Sequence, residues 1–261
     1  MTGIIKSMKG LVTLVTGGAS GLGKGTVQHL HQIGAKVAIL DIPQSTGSSL
    51  AETLGKNAIF TPADVTSEEQ VSSAVAIIRE KYGRLDAVVN CAGIAYAFRV
   101  YNPAKKEMSP LDKIKKTLDV NIIGTFNVIR HTAQLMIENE VDEMGQRGVY
   151  VNTSSIAAYD GQVGQSAYSA SKGAIASITL PLARDFAGSG IRVVTLAPGL
   201  FDTPLLQGLP NKVRIFLSQL VPNPNRLGKP EEFGALVEHV IGNRYLNGEV
   251  IRIDGALRMP P

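Results

Sequence analysis

The sequence predicts one domain of the α/β class, a doubly wound parallel sheet with helices on both faces. Three observations predict it. Short apolar runs recur along the chain and are continuous rather than alternating, the pattern of parallel strands covered on both sides. Helical patterns lie between them, so strand and helix alternate, which implies right-handed crossovers and helices on both faces. No linker, repeat or shift in composition divides residues 1–261.

The strands are expected, in order, at residues 11–16, 36–41, 58–63, 85–90, 149–154, 191–197 and 249–253. The clearest helix carries Val71, Ala74, Val75, Ile78 and Tyr82 on one stripe, with Ser67 and Gln70 placed to open it as a capping box. Two stretches break the rhythm. Residues 95–110, with Pro103 and Pro110, form a long connection after the fourth strand, and residues 199–228 carry Pro204, Pro210, Pro222 and Pro224 around one short helical patch. Long loops in a compact domain are usually functional, and these two emerge at the carboxyl ends of strands, where such sheets bind ligands.

Composition removes several classes of function. The 261 residues suffice for a full core, and 44% hydrophobic with 18% charged residues is the mix of a folded domain. No window approaches the roughly 18 uninterrupted apolar residues of a membrane-spanning helix. The net charge of +4 is too slight to claim a nucleic-acid surface. One cysteine, Cys91, forbids an internal disulfide and a multi-thiolate zinc site, so no metal is expected. Residues 1–40 hold Lys6, Lys9, Lys24 and Lys36 but no acid, as mitochondrial presequences do. Arg is absent there, however, and the apolar run at 11–15 is too short for a secretory signal, so an ordinary lead-in is the simpler reading. A surplus of 27 Gly over 14 Phe plus Tyr points to close approaches of backbone to backbone or ligand.

The first strand runs into Thr16-Gly17-Gly18-Ala19-Ser20-Gly21-Leu22-Gly23, which opens a helix. In that context Gly17 permits a tight turn, Gly21 the approach of a pyrophosphate and Gly23 the packing of helix on strand, a Rossmann-type phosphate loop. Asp41 ends the second strand, where a carboxylate accepts from both ribose hydroxyls and repels a 2′-phosphate, selecting NAD over NADP. No Arg or Lys stands beside it in Ala19-Ser20 or Ile42-Pro43. Asp64 follows the third strand and could accept from the adenine amino group or cap the next helix. Asn90-Cys91-Ala92-Gly93 offers small residues against which a flat nucleotide can lie, with Cys91 read as a packed thiol.

Tyr168 and Lys172 stand four residues apart in a helical stretch, hence on one face. A free phenol titrates near about 10 and is a poor base unless cations stabilise its anion, as Lys172 and an oxidised nicotinamide can. Ser155, at the end of the fifth strand, can hold the substrate oxygen at the same spot. The lysines 105, 106, 113, 115 and 116 could meet the phosphates of coenzyme A, although a solvated helix face is the simpler reading.

The loop at 16–23, Asn90-Cys91-Ala92-Gly93, Asn121, Ser155, Tyr168, Lys172 and Pro198-Gly199 together resemble the short-chain dehydrogenase/reductase family over the whole chain. Further segments, among them Gly161-Gln-Val-Gly164 and the ending Asn247-Gly-Glu-Val-Ile-Arg-Ile-Asp254, resemble its members acting on 3-hydroxyacyl-CoA and 17β-hydroxysteroids. The resemblance implies that Tyr168 is the general base in oxidation, that Lys172 lowers its pKa and binds the nicotinamide ribose, and that Ser155 polarises the substrate oxygen. It implies a proton-relaying water at Asn121, and contacts with NAD from Ser20, Leu22, Asp41, Asp64, Val65, Cys91, Gly93, Phe201 and Thr203. An acyl-CoA or steroid substrate, a homotetramer and a place in the mitochondrial matrix are implied too, with a cytoplasmic enzyme or a general carbonyl reductase as alternatives. Some relatives also serve as a scaffold beside a tRNA methyltransferase partner. Residues 95–116 diverge most from that subfamily.

Overall fold

The computed structural model describes residues 7–261, so residues 1–6 of the basic, acid-free start lie outside the described residues. The first half alternates β1 (Val12–Thr16), α1 (Gly21–Gln32), β2 (Lys36–Asp41), α2 (Gly47–Leu54), β3 (Ala58–Pro62), α3 (Glu68–Tyr82) and β4 (Ala87–Asn90). A two-stranded hairpin, β5 (Tyr101–Asn102) with β6 (Glu107–Met108), then precedes α4 (Leu111–Leu118). One π-helical turn at Asp119–Ile123 joins α4 to α5 (Gly124–Ile137). The second half runs β7 (Gly148–Thr153), α6 (Ser166–Asp185), β8 (Ile191–Pro198), α7 (Pro204–Gln207), α8 (Asn211–Gln219), α9 (Pro230–Gly242) and β9 (Val250–Ile253).

Seven strands form one sheet in the order β3-β2-β1-β4-β7-β8-β9, every neighbouring pair parallel. The order reverses between β1 and β4, so their connections leave toward opposite edges and open a crevice beyond their carboxyl ends. Continuous apolar strands serve two cores because side chains alternate between faces. Val15, Val37 and Ile39 enter the core under α1, α2 and α9, while Val12, Leu14, Ala38 and Leu40 enter the one under α3, α5 and α6. All seven predicted strands are present. The predicted box opening α3 forms only in part: Ser67 Oγ accepts from the Gln70 N–H, but the Gln70 side chain turns to the Asp64 N–H instead. The two irregular stretches are more ordered than expected. Residues 95–110 contain the hairpin, and residues 199–228 contain two helices where one patch was expected.

At the end away from the crevice, Arg192 is only 5% exposed. Its guanidinium donates to the carbonyls of Val240 (3.0 Å), Ile241 (2.8 Å) and Leu246 (2.8 Å), closing the carboxyl end of α9 against β8. Helix ends leave such carbonyls without partners, and leaving them buried and unpaired is costly. Replacing Arg192 with Leu is therefore expected to cost about 3 kcal/mol, and thermal unfolding should show a midpoint lower by roughly 10 °C.

Candidate active site

The crevice is a cleft of about 890 Å³, within the size range of small-molecule sites. At one end the turn after β1 presses on the backbone after β4. A Cβ on Gly17 would lie 2.9 Å from Ala92 Cα, and one on Gly23 would lie 2.1 Å from the Gly17 carbonyl oxygen, so neither position admits a side chain. Gly17 and Gly21 have φ of +62° and +51°, in the left-handed region that favours glycine. Ser20 caps α1 without a side-chain hydrogen bond, so the helix presents its first N–H groups to the cleft. Ser20, Leu22, Gly23 and the two left-handed glycines all line it.

Asp41 extends from β2 along the same wall. One carboxylate oxygen accepts from the Ala19 N–H (3.0 Å) and the other from the Ile42 N–H (2.8 Å), which fixes its orientation toward the loop. Each oxygen keeps a second lone-pair direction. The lysines or arginines lining the cleft among the described residues are Lys116 and Lys172. Asp64 uses one oxygen to accept from Thr66 N–H (2.9 Å) and Thr66 Oγ1 (2.8 Å), while Ser67 caps α3, so Asp64 closes the preceding turn rather than the helix. Val65 stands beside it in the lining.

At the other end, β7 and α6 bring three polar side chains together. Tyr168 sits in the first turn of α6 and Lys172 one turn later, its Nζ 5.8 Å from the Tyr168 ring centre. Lys172 Nζ donates to the Thr153 carbonyl (2.8 Å) and Ser154 Oγ donates to the Lys172 carbonyl (2.7 Å), stapling helix to strand in both directions. Ser155 is buried and accepts from the Ala157 N–H (3.1 Å). Burial pushes the Tyr168 phenol up, with the Ser155 hydroxyl opposing it. Burial also draws Lys172 down to about 8. Lys172 places one N–H on a carbonyl of β7, and desolvation dominates both groups.

Asn121 lies in the π-helical turn between α4 and α5. It is buried behind the cleft, where its amide accepts from the Ile94 N–H (2.8 Å) and donates to the Ile94 carbonyl (2.9 Å) and to Ser171 Oγ (2.9 Å). Ser171 Oγ in turn donates to the Tyr168 carbonyl (2.7 Å). Both amide donors are used within the protein, so the side chain ties the backbone after β4 to α6. Gly93 lies between, where a Cβ would come within 3.2 Å of Asn121 Oδ1 and 3.4 Å of Lys172 Nζ. Phe201 lines the cleft but also packs edge-on to Phe233 at 6.3 Å, and Thr203 caps α7 with its methyl beside Gly21.

Of the five lysines between 105 and 116, Lys116 reaches the lining; Lys105 and Lys106 are exposed at the hairpin turn, and Lys113 lies over the Tyr96 ring. Sequence reading missed Tyr96, Gln162, Leu209 and Met259, which also line the cleft. For Tyr96 and Leu209 the irregular stretches 95–110 and 199–228 that hold them gave the only signal. Cys91 lies half-buried beside Thr153, and burial pushes its thiol up to about 11. Alkylation by iodoacetamide, followed by intact mass, should be slow at pH 8 and quicken about tenfold for each pH unit until that pKa, because the thiolate is the nucleophile.

Residues 11–214 match the short chain dehydrogenase family. The chain is 56% identical over its whole length to the whole of 3-hydroxyacyl-CoA dehydrogenase type-2 of Rattus norvegicus. It is 53% identical to the protein of that name from Drosophila melanogaster, over 97% of this chain and 100% of the relative. The crystal structure of 3-hydroxyacyl-CoA dehydrogenase type-2 from Mycobacterium avium superposes with a TM-score of 0.93 at 38% identity, over 98% of this chain and 99% of that one. The protein is an oxidoreductase, and its chain belongs to the short-chain dehydrogenase family.

Proposed function

We propose that the protein interconverts a secondary alcohol and a ketone with NAD, acting on 3-hydroxyacyl-CoA and, on the same cleft, hydroxysteroids. The observation that carries this reading is a single cleft with Gly17, Gly21, Gly23 and Asp41 at one end and Ser155, Tyr168 and Lys172 at the other. The glycine turn and the start of α1 fit a pyrophosphate, and Asp41 fits two ribose hydroxyls. Asp64 with Val65 would meet the adenine, Cys91 and Gly93 the flat backbone side, and Phe201 and Thr203 the other wall. The dinucleotide, when bound, supplies the hydride acceptor and a positive charge.

Tyr168 Oη takes the hydroxyl proton of the alcohol, and Ser155 Oγ donates a hydrogen bond to the same oxygen. Lys172, the buried cation one turn along, stabilises the phenolate from which this transfer starts, and would hydrogen-bond the nicotinamide ribose. Asn121 positions both by holding α6 to the backbone after β4. Lys116 is the cation that supports a coenzyme A phosphate at the cleft mouth. Exposed apolar side chains such as Val163, Leu180 and Tyr245 offer area for the homotetramer. The mitochondrial matrix, which the family resemblance implies, is its proposed place.

Tyr168→Phe is expected to lower kcat for NAD-dependent oxidation of a 3-hydroxyacyl-CoA about 10³-fold, with the NAD dissociation constant, read by fluorescence, little changed. Retained turnover would remove Tyr168 from the mechanism. The native enzyme should prefer NAD to NADP by kcat/KM, and Asp41→Ser should narrow that preference by about a hundredfold, the scale of relieving one like-charge contact. Equal use of both cofactors by the native enzyme would remove the role given to Asp41.

A further inference from the structure

The last eight residues, 254–261, form no helix or strand, yet they are tightly held. Arg252, at the end of β9, bridges Asp160 (2.5 Å) on the loop after Ser155 and Asp254 (2.7 Å) at the root of the tail. It also donates to the Leu257 carbonyl (3.0 Å) and lies 5.4 Å from the Tyr159 ring centre. Arg258 returns to Asp254 at 3.1 Å. Two left-handed residues, Gly255 (φ 59°) and Ala256 (φ 66°), fold the chain back, and the Ala256 N–H donates to Asp254 Oδ1 at 3.0 Å. Left-handed backbone at an alanine is unfavourable unless its surroundings enforce it, and here the Asp254 and Arg252 bonds do so.

The fold-back carries Leu257 and Met259 onto Ile156 and Val221, a small separate core under the substrate end of the cleft. Ile156 directly follows Ser155, and Leu200 of the same cluster directly precedes Phe201. Met259 is partly exposed and lines the cleft, and its neighbour Pro260 accepts from Gln162 Nε2 (3.1 Å), itself a lining residue. The tail is thus a wall of the cleft on the Ser155 side, away from the glycine turn and Asp41. Its ion pairs are anchored both in the sheet and in the loop that carries Ser155.

We infer that Met259 is a specificity-determining residue, packing on the part of the substrate beyond the reacting carbon and limiting the acyl chain that fits. The inference rests on the reading of the cleft as an NAD-dependent hydroxyacyl-CoA site. A thioether side chain is flexible and apolar, suited to cover an alkyl chain without a polar demand, and a methylene gained or lost in such a pocket changes kcat/KM about tenfold or more.

The test measures kcat/KM on a short and a long straight-chain 3-hydroxyacyl-CoA for the native enzyme, Met259→Ala and Met259→Phe, together with KM for NAD. Met259→Ala should raise the long-to-short ratio about tenfold, and Met259→Phe should lower it by a similar factor, both through KM for the acyl substrate. Ratios that stay at the native value in both variants, or a change confined to KM for NAD, would overturn the inference while leaving the proposed activity standing. Absence of turnover on either acyl-CoA by the native enzyme would instead overturn the proposed activity, and the inference with it.

Discussion

The contact between the turn after β1 and the backbone after β4 is the constraint on which the rest depends. Gly17 lies against Ala92 and Gly23 against Gly17 so closely that neither position has space for a Cβ. Parallel neighbours β1 and β4 would otherwise have to splay to let their loops pass. Because they stay paired from Thr13–Ala87 to Thr16–Asn90, the crevice opens directly above them. The Ala92 N–H, donating to Thr16 Oγ1 at 3.1 Å, holds that floor from the other side.

From this floor the two functional ends are held by different means. The end with the glycine turn is held by main chain: the Ala19 N–H fixes Asp41, and the turn before α3 fixes Asp64. The end with Tyr168 is held by side chains, through Lys172 on the Thr153 carbonyl and Asn121 on Ile94 and Ser171. Such a network leaves Tyr168 and Lys172 desolvated in opposite electrostatic senses, the phenol pushed up and the ammonium pulled down. Both shifts favour uncharged forms, so the phenolate that accepts the proton in the proposed transfer depends on positive charge near it, which has an unusually large effect in that dry setting.

Much of this was legible beforehand because it is local. Strands read as apolar runs, the glycine loop as a strand-to-helix turn, and Tyr168 with Lys172 as one helix face, since each depends on residues within a few positions of one another. Less legible were features set by partners far along the chain. Gln70 left its expected partner for the Asp64 backbone, Asn121 joined Ile94 to Ser171, and the loops at 95–110 and 199–228 gained a hairpin and an extra helix. Met259 carried no signal at all, because a methionine two residues from an irregular end has no period to read.

The sequence by itself determined the order of strands and helices, the glycine-rich turn after β1, the choice of an acid at Asp41 and the pairing of Tyr168 with Lys172. These follow from periodicity and from the few residue types that permit a given backbone. Tertiary structure alone decided which groups face the cleft, which way the pKa values move and where the tail ends. Burial and hydrogen-bond partners belong to the packed molecule: desolvation depends on how much protein surrounds a group, and that is set by residues remote in the chain.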